Sequence, residues 1–118
     1  MLSRVDQTTM INEIDTFKLD RIRQQQNIRL VDVRSQGERE QHNIPESEHI
    51  PLHLIPLKMN EYQKNETIVF YCATGARSSQ ACFYFQSKGH GNVFNLKGGI
   101  RAWAQNGYPL VSANQFVY

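Results

Sequence analysis

The sequence predicts one domain built on an open, mainly parallel α/β sheet. Three observations carry that expectation. Apolar, β-type runs at 28–33, 67–71 and 93–96 alternate with stretches of helical periodicity. A chain of 118 residues matches the commonest domain size and can bury one real core. Asp32 and Cys72 each fall at the carboxyl end of a strand-like run, where such sheets hold their sites.

The elements follow in order. Residues 1–10 show no periodicity and read as a lead-in; 11–14 suit a short strand. Asp15 or Thr16 caps a helix in which Phe17, Leu19, Ile22 and Arg23 sit at mixed helical spacing, with Gln24, Gln25 and Gln26 on the exposed end, and Asn27 closes it. A buried strand spans 28–33. A polar surface helix spans 37–42 and ends at Ile44-Pro45. Pro51 biases Ile50 toward extended backbone. Leu54, Leu57 and Tyr62 mark another short helix, and Asn65-Glu66 a turn. The run 67–71 is β-branched and aromatic, the strongest strand of the chain. A helix over 78–88 places Ser78, Ala81, Cys82 and Phe85 on one face, and Gly89 ends it. A strand at 93–96 leads to a last helix opened by Gly98-Gly99, with Ile100, Trp103 and Ala104 inward. Residues 108–111 are extended. The domain thus covers 11–111, and 112–118 form a tail with apolar Phe116, Val117 and Tyr118.

Composition narrows the function. Thirteen basic and 11 acidic residues give a net charge of +2, too balanced to argue for nucleic acid or a membrane surface. Two cysteines do not make a disulfide framework, and no CxxC or Cys/His cluster has zinc-site spacing. His49 and His53 are separated by Pro51, which argues against a shared helix and a metal there. A metal site is not expected from these residues. Met1 to Asp6 lack the apolar run of a signal peptide, so a reducing, cytoplasmic setting is expected.

The chemistry points to Cys72. A strand ends there, four small residues including Gly75 follow, and Arg77 and Ser78 open a helix. Such a loop turns successive N–H groups inward as an anion-binding nest, with the helix dipole behind it. Arg77 adds a permanent positive charge. These features lower a thiol pKa, and a thiolate is the nucleophilic form. Many lone cysteines are simply buried, but the Gly, Arg and Ser neighbours favour a working thiol here. Cys82, on the inner helix face, reads as core.

These residues belong to a wider pattern. Leu30-Val31-Asp32-Val33-Arg34, then Glu38, Ile44-Pro45 and Ile50-Pro51, precede the loop Tyr71-Cys72-Ala73-Thr74-Gly75-Ala76-Arg77-Ser78. Leu96-Lys97-Gly98-Gly99-Ile100-Arg101-Ala102-Trp103 and Gly107-Tyr108-Pro109 follow it. In this order and spacing the chain resembles the rhodanese-like sulfurtransferases of the short single-domain kind, over about residues 14–110. The resemblance implies a central five-stranded parallel sheet flanked by helices, and neither a metal nor an organic cofactor. It implies a Cys72 that takes a sulfane sulfur from a donor such as thiosulfate and passes it, as a persulfide, to a thiophilic acceptor. The amides of Ala73, Thr74, Gly75, Ala76 and Arg77 would cradle that persulfide, and Arg77 would help hold an anionic donor and fix the loop. Thr74 and Ser78 hydroxyls could hydrogen-bond it, or Ser78 could serve only the first helical turn. Asp32 would support the site or serve as a strand-end carboxylate. Arg34 would attract an anionic donor or remain a solvated surface charge.

Two departures stand out. His42-Asn43 and Glu46-Ser47 replace the glycine-histidine and glycine-alanine that flank the family's first "IP", which suggests a different turn. Arg39 replaces an aromatic, which suggests looser packing of that helix. Other functions fit less well. Cysteine phosphatase and arsenate reductase loops resemble Cys-x5-Arg, whereas four residues separate Cys72 from Arg77. A persulfide carrier that delivers sulfur to a protein partner is the closer alternative.

Overall fold

The structure, a computed structural model, describes residues 10–112. The expectations for Phe116, Val117 and Tyr118 and for nearly all of the lead-in lie outside the described residues. Five strands form the sheet: β1 (Glu13–Ile14), β2 (Arg29–Asp32), β3 (Glu48–His49), β4 (Ile68–Tyr71) and β5 (Val93–Leu96). They lie in the order β1-β5-β4-β2-β3, with every pair parallel. The α-helices among the described residues are α1 (Thr16–Gln25), α2 (Gln36–Gln41), α3 (Ile55–Lys58), α4 (Ala76–Ser87) and α5 (Gly99–Gln105). Single 3₁₀ turns, Leu52–Leu54 and Met59–Glu61, flank α3. None of these helices is long and apolar enough to cross a membrane.

β4 is central, with β2 on one side and β5 on the other, and all four of its residues are buried. Alternation divides them between two cores. Ile68 and Phe70 join Val31, Ile55 of α3, and Cys82 and Phe85 of α4. Val69 and Tyr71 join Leu19 of α1, Leu96, and Ile100 and Trp103 of α5. Helices cover both faces, which is why the strands read as unbroken apolar runs.

The helical periodicity holds best in α4, where Ser78, Ala81, Cys82 and Phe85 are all buried; the helix starts two residues earlier than expected. In α1 the Asp15 carboxylate accepts from the Lys18 N–H at 2.8 Å, an N-cap. Leu19 is buried, but Phe17 is 60% exposed, beneath the Arg21 guanidinium. Residues two apart on a helix lie about 200° apart, so only one of the two can face the sheet. The same rule exposes Leu57 at 75% and turns Ile55 inward. Ala104, expected inward, is exposed, while Tyr108 stacks on Trp103 with centroids 4.6 Å apart.

The two departures have structural answers. Glu46 adopts φ 66°, so the turn keeps a glycine-type backbone without the glycine. Tyr71 anchors this turn: its hydroxyl accepts from the Ile44 N–H at 3.1 Å and lies 2.9 Å from Ser47 Oγ. Arg39 makes α2 better tied, not looser. It donates to Ser47 Oγ and the Ser47 carbonyl at 3.0 and 2.6 Å, and reaches Asp32 at 3.3 Å.

Candidate active site

The site lies beyond the carboxyl end of β4, where the chain turns from strand to α4. Cys72 ends the turn's inner side and is 1% exposed. Gly75, at φ 113°, allows the reversal that leads into α4 and is the helix N-cap. Gly75 has no side chain with which to cap α4. The sulfur does so instead: Sγ accepts from the Gly75 N–H at 3.1 Å and the Ser78 N–H at 3.4 Å. The Ser78 hydroxyl is also 3.4 Å from Sγ. Burial pushes the thiol pKa up, but the Ser78 hydroxyl and the N–H groups of Ser78, Gly75 and Thr74 outweigh it, so the net direction is down. Cys82 shows the opposite case: burial without donors raises its thiol pKa, as a core cysteine requires.

The loop is held from below by α5. The Ile100 and Arg101 N–H groups, from the first turn of α5, donate to the carbonyls of Cys72 and Ala73 at 2.9 and 3.1 Å. Helix-start donors that lack helical acceptors thereby find them in the loop. Binding those carbonyls underneath leaves the following N–H groups to face the sulfur. Gly99, at φ 62°, makes the approach possible: a β-carbon there would lie 2.4 Å from the Ala73 carbonyl oxygen.

Arg77 does not hang free at the mouth. It forms a two-pronged pair with Glu38 of α2, at 2.8 and 2.9 Å. The pair holds the Glu38 carboxyl down to about 2 and raises Arg77 further, with the sulfur adding to that rise. Its charge is thus fixed beside the thiol. Glu38 itself is set by a capping box with Ser35, a Ser-x-x-Glu signal legible in the sequence.

Asp32 and Arg34 lie elsewhere. Arg34 is 2% exposed, neither a surface charge nor a lure at the mouth. Its guanidinium donates twice to Asp32, at 2.9 Å each, and once to the His42 carbonyl at 2.6 Å. Asp32, fully buried, also accepts from the Arg34 N–H and the Tyr71 hydroxyl. These residues brace the sheet end rather than touch the sulfur. In extended backbone, residues two apart share a side, so the Asp32-Val33-Arg34 pairing could have been read in advance. His49 sits with a ring nitrogen 2.8 Å from the Arg34 carbonyl. Sequence reasoning missed Asn95 on β5, whose carboxamide donates to the Gly75 carbonyl at 3.1 Å and accepts from Ser78.

A parallel α/β domain with a cysteine capping a helix from a strand's end is an anion-loop domain with a thiol at its focus. The comparisons agree with that class. Residues 17–106 match the rhodanese-like domain model, and the chain belongs to that family. A sulfurtransferase of Allochromatium vinosum is 46% identical over 104 residues, covering 87% of this chain and 97% of its own. The crystal structure of a rhodanese-related protein from Thermoplasma volcanium superposes with a TM-score of 0.77 at 27% identity, over 85% of this chain and 97% of its own. The rhodanese-like domain of the Anabaena protein Alr3790 gives 0.79 at 25% identity, over 91% and 84%.

Proposed function

We propose that this protein is a sulfurtransferase that moves a sulfane sulfur from a donor such as thiosulfate to a thiophilic acceptor through a persulfide on Cys72. The observation that carries this reading is the sulfur's place as the cap of α4, facing the Gly75 and Ser78 N–H groups with its pKa lowered. The Cys72 thiolate attacks the outer sulfur of thiosulfate. A new S–S bond forms, the old one breaks, and its electron pair leaves on sulfite. Sulfite leaves as a stable anion, so the step needs no general acid. An acceptor, cyanide or a thiolate, then attacks the outer sulfur and returns the Cys72 thiolate. The loop of Ala73, Thr74, Gly75, Ala76, Arg77 and Ser78 would hold the persulfide's anionic sulfur, four residues between Cys72 and Arg77 suiting sulfur better than a tetrahedral oxyanion. Arg77, fixed by Glu38, supplies the local positive field. Asp32 and Arg34 support the site from the strand end. A cytoplasmic setting suits a thiol that must stay reduced.

Intact mass after incubation with thiosulfate tests the reading. Wild type should gain one sulfur atom, and Cys72→Ser none. No sulfur on Cys72 from any sulfane donor would overturn it. Turnover with cyanide, set against transfer to a protein thiol, separates an enzyme of small molecules from a carrier serving a protein partner.

A further inference from the structure

Asn95 ties Gly75, within the cysteine loop, to Ser78 in the first turn of α4. It stands on β5, 2% exposed. Its Nδ2 donates to the Gly75 carbonyl at 3.1 Å, and its Oδ1 accepts the Ser78 hydroxyl at 2.5 Å. The same hydroxyl oxygen lies 3.4 Å from Cys72 Sγ. A serine hydroxyl carries one proton, so it cannot serve Asn95 and the sulfur at once.

The choice depends on the charge of the sulfur. A neutral thiol has its own proton to give: S–H donates to Ser78 Oγ, and the Ser78 proton stays on Asn95. A thiolate has none and needs donors. The Ser78 proton then turns to Sγ, and Asn95 Oδ1 loses its partner. Asn95 cannot flip to compensate, because that would aim Oδ1 at the Gly75 carbonyl and leave both acceptors facing each other.

We propose that Asn95 is a positioning residue that governs ionisation of Cys72 through the single proton of Ser78. The proposal rests on Cys72 being the working thiol. Its fixed acceptor favours every state in which Sγ is neutral. The persulfide is one of these, since its charge sits on the outer sulfur, so Asn95 favours the sulfur-loaded form over the bare thiolate. After burial, the Ser78 hydroxyl is the strongest influence on this thiol, which makes the proton's allegiance matter. The charged groups nearby are Arg77 of α4, which senses the sulfur, and Glu38 of α2, which holds Arg77; both stay unchanged in the variants below.

The test is the pH profile of Cys72 alkylation by iodoacetamide, followed by mass. Asn95→Ala should lower the midpoint by roughly 0.5–1 pH unit, the worth of one neutral hydrogen bond. Asn95→Val, which keeps a strand-favouring side chain, should do the same. Ser78→Ala should raise it, and in a Ser78→Ala background the Asn95 changes should have no effect. A midpoint that rises or stays put in the Asn95 variants overturns the proposal, as does a shift that persists without the Ser78 hydroxyl. In ¹⁵N-labelled wild type, which needs no variant to fold, the Asn95 side-chain amide should titrate with the alkylation midpoint; an invariant resonance also overturns it. None of these readouts uses a sulfur donor, so their failure leaves the persulfide mass experiment to stand or fall separately.

Discussion

Glu46 holds φ 66° in the turn that Tyr71 anchors. Left-handed backbone costs a residue with a β-carbon roughly 1–2 kcal/mol, while the extra freedom of glycine in the unfolded chain costs about 0.5–1 kcal/mol. The first effect is larger, so Glu46→Gly should stabilise the domain by about 0.5–1 kcal/mol. A urea denaturation midpoint that falls instead would refute this. Asp32 is the opposite kind of residue. It is fully buried and is the counter-charge of Arg34, itself 2% exposed. Truncating it strands a guanidinium in the core, and Asp32→Ala should cost about 3–5 kcal/mol. That loss should appear as a large drop in thermal midpoint; a small one would mean that Arg34 has another way to satisfy its charge. Neither residue touches Cys72. Their effect on chemistry should come only through stability.

α2 has six residues, too few to persist alone. It is held by its capping box, by Arg39 on Asp32 and Ser47, and by Glu38 on Arg77. The Glu38 pair makes a pH prediction. Its carboxyl sits at about 2 in the folded protein against an ordinary 4.5. A depressed carboxyl stabilises the fold fully above its unfolded value and loses that contribution as pH falls toward the folded one. The window is therefore from about 4.5 down to about 2. Both partners are about one-third exposed, so solvent screening holds the contribution to roughly 0.5–1 kcal/mol. Glu38→Gln keeps a residue fit for the capping box and removes only the charge. Its stability gap from wild type should be largest near neutrality and close through that window; a gap indifferent to pH would show that charge is not what matters. Elements like this also mark what the sequence could reveal. The inward face of α4 was legible because Ser78, Ala81, Cys82 and Phe85 repeat at helical spacing, and the Cys72 loop because its chemistry is contiguous. Which of Phe17 and Leu19, or of Ile55 and Leu57, faces the core was not legible, because short amphipathic helices admit two apolar faces, and only the sheet chooses between them. Asn95 and the Arg77–Glu38 pair were hidden because each joins residues distant in the chain. No local period encodes such contacts.

At the scale of the whole molecule, the strand order places β4 and β5 side by side, so the loops leaving both must share one end of the sheet. The cysteine loop and the start of α5 meet there with almost no space between them. Gly99 is the point of contact. A β-carbon on it would lie 2.4 Å from the Ala73 oxygen, 2.5 Å from the Ala73 carbonyl carbon and 2.6 Å from the Cys72 oxygen, all backbone atoms that cannot swing aside. Its φ of 62° adds strain for any other residue. Gly99→Ala must therefore lift α5 off the loop or push the loop outward. Either movement breaks the bonds from Ile100 and Arg101 that pin the Cys72 and Ala73 carbonyls. Stability should fall by at least about 2 kcal/mol, and sulfur loading of Cys72 should slow even at temperatures where the variant is fully folded. Gly37→Ala is the control: a β-carbon there meets nothing within 4 Å, and the position lies in α2. It should leave sulfur loading unchanged and, by helix propensity, stabilise by up to about 1 kcal/mol. If Gly99→Ala matched wild type in both denaturation and loading, the thiol's donors would not depend on α5. The loop would then owe its shape to Gly75, α4 and the Asn95 bond from β5.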